Sequence, residues 1–158
     1  HGVARSTMDV DMLVDLQLEQ VNAFERHLEG AFFVDGQMMR KAIRQGRSFN
    51  IIHKETVFKV DIFPIKNRPF DQIQLSRRIA LSLTGNPNHK AYVSSPEDKI
   101  LAKLDWYRKG GEVSDRQWGD VINVIKIQGD SLDREYLRKW ALQLEVDDLL
   151  AKALLEVE

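Results

Sequence analysis

Asp9 and Asp11 stand two apart in residues 8–16, MDVDMLVDL, where they alternate with Met8, Val10 and Met12. Alternation of polar and apolar residues is the period of a β-strand. It sends both carboxylates off one face, about 6–7 Å apart along the chain. Oxygen ligands in that arrangement suit a hard divalent cation such as Mg2+, and two such ions can share bridging carboxylates. A third carboxylate from a neighbouring strand completes a site of this kind. Asp61 is the candidate, a lone acid in the apolar run 58–63, FKVDIF. An Asp-x-Asp alternation by itself also describes the solvated face of an edge strand, so the pair takes its meaning from its surroundings. Asp15 shares the parity of the pair but lies too far along the strand to join the same ions. It reads as a surface acid or a helix cap.

The elements that must hold these acids follow from periodicity. Residues 17–29 place Leu18, Val21, Phe24 and Leu28 at helical spacing, and Gly30 ends that helix. A short apolar stretch at 31–34 precedes Asp35, the expected N-cap of a helix over 37–44 closed by Gly46. Strands are predicted at 48–53 and 57–63, joined as a hairpin through Lys54, Glu55 and Thr56. Residues 71–76 read as helix, 79–83 as strand, Gly85-Asn86-Pro87-Asn88 as a turn, and 91–93 as a short strand. From Pro96 onward the period is helical. Ser95 is the expected N-cap with Pro96 at the first position, Ile100, Leu101, Leu104 and Tyr107 form the apolar stripe, and Gly110-Gly111 ends the helix. Further helices start at Ser114 and Asp133, and a fourth covers 146–157. Trp106, Trp118 and Trp140 fall at helical positions and are expected in the core. The chain is therefore α+β, a small mixed sheet flanked by helices with a C-terminal helical segment. We expect a sheet core over 1–94 and helices over 95–158 packed on it as one globular unit.

Composition narrows the function classes. The 158 residues are 43% hydrophobic and 30% charged, with a formal net charge of -1. That length supports one compact domain, and that balance offers no global basic field to attract nucleic acid. The chain has no cysteine, which excludes disulfides and thiolate metal sites. No apolar run is long enough to cross a bilayer, so no membrane partner is expected and a cytoplasmic protein fits. His1, His27, His53 and His89 are scattered without ligand spacing. Arg40, Lys41, Arg44 and Arg47 make one short helix locally basic, which reads as a solvated face or a contact for an acceptor RNA.

Residues 2–14, GVARSTMDVDMLV, resemble the G-x-x-R-x-T-x-D-x-D-hydrophobic segment of nucleotidyltransferase-fold proteins. The likeness is strongest to the bacterial group that includes the AbiEii-type toxins of type IV toxin–antitoxin systems and their uncharacterised relatives. The strand ending Lys59-Val60-Asp61 resembles the later strand that supplies the third acid. Residues 95–104, SPEDKILAKL, resemble the helix after the sheet, and Arg108, Arg116 and Asp120 fall where a K…R…R-x-x-x-D pattern is expected. The resemblance runs over essentially the whole chain. In the family a Gly-Ser or Gly-Gly pair opens a helix upstream of the Asp-x-Asp strand and receives the triphosphate. That element is expected ahead of His1, so activity of this exact chain is left open.

The resemblance implies a nucleotidyltransferase fold and a site in which Asp9, Asp11 and Asp61 bind Mg2+ or Mn2+ and orient an NTP. An acceptor hydroxyl on a protein, a tRNA or a small molecule would attack the α-phosphate as pyrophosphate leaves. Asp61 is the expected proton acceptor. Lys103 and Arg108 are the expected triphosphate contacts, Arg5 a phosphate contact, and Thr7 a backbone hydrogen bonder before the acids. Arg116 and Asp120, four apart, equally suit an intrahelical ion pair. The rival reading is a non-catalytic module of the same fold that binds a nucleotide or a protein, such as an antitoxin. Sequence-specific DNA binding has little support, since the C-terminal helices lack a basic recognition helix.

Overall fold

A computed structural model describes residues 9–82 and 90–157, with Asp9 described by its backbone only. Arg5, Thr7, His1, His89 and the turn at Gly85-Asn86-Pro87-Asn88 lie outside the described residues. The chain divides into two compact units, His1–Asp71 and Gln72–Glu158. Both mix helix and strand, and no helix among the described residues is long and apolar enough to cross a membrane.

In the first unit the elements run β1 (Asp9–Val14), α1 (Val21–Leu28), β2 (Phe32–Phe33), α2 (Gly36–Gln45), β3 (Phe49–His53) and β4 (Lys59–Pro64). The sheet order is β1-β4-β3-β2. β4 pairs antiparallel with β3 and parallel with β1, so β1 reaches β4 through the whole of α1, β2, α2 and β3. Alternation then sorts the side chains. Val60 and Ile62 of β4 share one face with Phe49 and Ile51 of β3, and all four are buried with Val21 of α1 and Met39 and Ala42 of α2. Lys59 and Asp61 leave the opposite face.

Local chemistry explains where these elements start and stop. Asp35 accepts hydrogen bonds from the backbone N–H groups of Gln37 and Met38 at 2.8 and 3.0 Å, capping α2. Gly46 closes that helix at φ 59°, a conformation cheap only for glycine. Two boundaries differ from the periodicity. The 17–29 stretch opens as a 3-10 turn over Leu18–Gln20 before α1 begins at Val21, because Gln17 and Gln20 cap one another and tighten the entry. β4 starts at Lys59, not at residue 57. Val57 adopts φ 56° to close the hairpin turn, and a β-branched residue at positive φ cannot continue a strand.

The described residues of the second unit hold an antiparallel pair, β5 (Ile79–Ser82) with β6 (Lys90–Val93), and the α-helices α4 (Pro96–Lys109), α5 (Asp115–Gln128), α6 (Arg134–Gln143) and α7 (Asp147–Val157). A shorter helix, α3 (Pro69–Ser76), straddles the division between the units. Ile100, Leu101 and Leu104 of α4, Val121 and Ile125 of α5, Leu137 of α6 and Ala153 of α7 are essentially inaccessible. Trp140 is buried as expected, whereas Trp106 and Trp118 are only half-buried, and the Trp118 indole N–H donates to Glu156 at 2.9 Å.

Two buried acids fasten the start of α4. Ser95 accepts from the Asp98 N–H at 3.1 Å and its hydroxyl donates back to Asp98 Oδ2 at 3.0 Å. Tyr136 donates to Asp98 Oδ1 at 2.6 Å, Arg77 lies 3.9 Å over the Tyr136 ring, and Glu97 accepts the Asp133 N–H at 3.1 Å. Asp98 is fully buried, so these partners replace the water it has lost.

Replacing Tyr136 by Phe is expected to destabilise the unit by about 1.5–3 kcal/mol, the range for hydrogen bonds to charged groups. Burial, and then the Asp98 carboxylate, push the Tyr136 phenol well above its ordinary range. With the folded-state value raised, the stabilisation is complete below the unfolded value of about 10 and fades as pH rises through the folded one. Urea unfolding should therefore show a gap between wild type and Tyr136→Phe that is constant from about pH 7 to about pH 9 and shrinks only above about pH 10.

Candidate metal centre

The parallel pairing of β1 with β4 decides which acids can meet. Its register sets Asp11 opposite Asp61 and the backbone of Asp9 opposite Lys59. Partners on neighbouring strands sit about 4.8 Å apart and send their side chains off the same face. Asp11 and Asp61 thus stand side by side on the face away from the first unit's core, and the side chain of Asp9 lies outside the described residues. Asn50 of β3 is the partner of Asp61 on its other side. From one edge inward the row reads carboxylate, carboxylate, amide.

Two carboxylates at that spacing repel one another. The ammonium of Lys59, two residues before Asp61 on β4, lies 2.8 Å from Asp61 Oδ2 and offsets part of that repulsion. The Lys59 and Asp61 side chains are 38% and 25% exposed, so the pair is reachable from water. Asp11 is exposed. Periodicity singled out Asp61 but passed over Lys59 and Asn50. The signal for Lys59 was present, since it shares the strand parity of Asp61. Asn50 needed the β3–β4 register.

Among the described residues no three His, Asp or Glu side chains form a group able to hold a metal ion. The described part of the candidate centre is the Asp11–Asp61 pair. Its donor set, carboxylate oxygens without imidazole or thiolate, fits a hard cation such as Mg2+ or Mn2+.

The expected phosphate contacts of the second unit are engaged internally. Lys103 is buried on α4, with its ammonium 2.8 Å from Asp120 Oδ2 and 2.9 Å from Gln117 Oε1, both on α5. Asp120, four residues after Arg116, thus ties α5 to α4. Arg108 pairs with Glu112 at 2.7 Å and with Asp148, and its buried Nε has no hydrogen-bond partner. In the first unit, His53 Nδ1 lies 2.9 Å from Thr56 Oγ1 in the hairpin turn, a structural position. On α2, Arg40 donates to Asn22, and Lys41, Arg44 and Arg47 are exposed.

No family model matches the chain, and no curated protein matches it.

Lys103→Met leaves Asp120 and Gln117 without their donor. About a third of the Asp120 side chain remains in water. The expected loss therefore falls below that of a fully buried pair, at about 1–3 kcal/mol in urea unfolding. The same loss is expected with and without Mg2+ and NTP present, as befits a pair that holds α4 to α5.

Proposed function

We propose that the chain is a metal-dependent nucleotidyltransferase that moves an NMP group from an NTP to an acceptor hydroxyl on a protein, a tRNA or a small molecule. The resemblance to the AbiEii-type toxin group places such an activity in a type IV toxin–antitoxin setting, with an antitoxin protein as the further partner. The observation that carries the reading is the β1–β4 register, which pairs Asp11 with Asp61 across two parallel strands. A solvated edge strand requires no acid on its neighbour. A shared cation does.

In this reading Asp11 and Asp61, with Asp9, hold Mg2+ or Mn2+, which supplies charge neutralisation at the phosphates. Asp61, on the inner strand of the pair, accepts the proton of the acceptor hydroxyl. The acceptor oxygen forms its bond to the α-phosphorus as the bond to pyrophosphate breaks, and the pyrophosphate departs with the charge it gains. Arg5 and Thr7, just upstream of the acids, remain the proposed phosphate contact and loop anchor.

A second reading rests on a separate observation. Lys103 and Arg108 are committed to internal ion pairs, an arrangement that serves a nucleotide- or protein-binding module as well as an enzyme. Incubating the protein with labelled NTPs and Mg2+ or Mn2+ separates the two. The enzyme reading expects label on a protein or RNA, reduced on the order of 100-fold or more by Asp11→Asn and by Asp61→Asn, since even outer-shell changes at metal sites cost 10–100-fold. Nucleotide binding without transfer, equal in wild type and Asp61→Asn, would favour the module.

A further inference from the structure

The ammonium of Lys59 lies 2.8 Å from Asp61 Oδ2. A divalent cation bound to that oxygen would sit about 2.0–2.1 Å from it. The two positive charges would then lie close together and repel one another. We propose that Lys59 is a built-in counter-cation of the acid pair, with which a divalent ion competes. The inference rests on the metal-binding reading above and adds to it a residue that sets how tightly the metal is held.

Three features of the sheet support this role. Lys59 and Asp61 share a parity on β4, so the ammonium approaches the acids along their own face. Asp11 is registered beside Asp61, so the two carboxylates leave the same face side by side. The Lys59 side chain is 38% exposed on a flexible stem, and it can swing into water without any change in the backbone. Metal-free protein is then protected from repulsion between Asp11 and Asp61, and metal-bound protein releases the ammonium beside the bound ion. The second state leaves a mobile cation at the place where phosphate oxygens would approach.

Mn2+ binding to the intact protein, read by electron paramagnetic resonance of the free ion, tests this without any turnover. Lys59→Met is expected to bind Mn2+ about 2- to 5-fold more tightly than wild type, the scale of a partly exposed ion pair. Lys59→Arg, which keeps the charge, is expected to stay near wild type, and Asp61→Asn to lose binding. Without metal, Lys59→Met should unfold at lower urea than wild type, and saturating Mn2+ should remove that deficit. Equal Mn2+ affinity in wild type and Lys59→Met, with loss in Asp61→Asn, overturns the counter-cation and leaves the metal site standing. Binding in neither wild type nor Lys59→Met overturns both.

Discussion

The parallel pairing of β1 with β4 is the constraint on which the candidate centre depends. It joins the first strand of its unit to the last, across two helices and two strands. That closure is costly, because a long stretch of chain must be ordered before the pairing forms. The buried cluster of Val60, Ile62, Phe49 and Ile51 against Val21 and Met39 offsets the cost. Register follows from the same packing. A slip of one residue would carry Val60 and Ile62 to the far face and Asp61 into the core, so the contacts that hold β4 also fix Asp61 beside Asp11.

A charge balance is laid over that frame. Both Asp11 and Asp61 point away from the core, where Lys59 softens their repulsion and water reaches the group. In the second unit the acids behave differently. Asp98 and Glu97 are buried and fully engaged by Ser95, Tyr136 and the Asp133 backbone, and they fasten helices together. Asp11 and Asp61 are reached by water, whereas Asp98 and Glu97 are closed in by their donors.

Much of this was legible from the chain. Period-2 alternation marked β1 and β4, Asp35 and Gly46 bracketed α2, and Ser95 with Pro96 opened α4, because each signal is local. The parity of Asp11 and Asp61 was legible, but their adjacency was not, since it belongs to a parallel pairing of residues fifty apart. Val57 shows a limit of another kind. Its type favours strand, and the hairpin turn overrides that preference. Lys103 was read as a phosphate contact from helical position and resemblance. Its engagement with Asp120 and Gln117 depends on how α5 packs on α4, which no spacing within α4 reveals.

The most direct test is a crystal structure of the protein grown with Mn2+, with the ion located by its anomalous scattering. A peak within about 2.2 Å of a carboxylate oxygen of both Asp11 and Asp61 is the expected result. A peak elsewhere, or none while Lys59 still holds Asp61, would contradict the reading of these two strands as a metal centre.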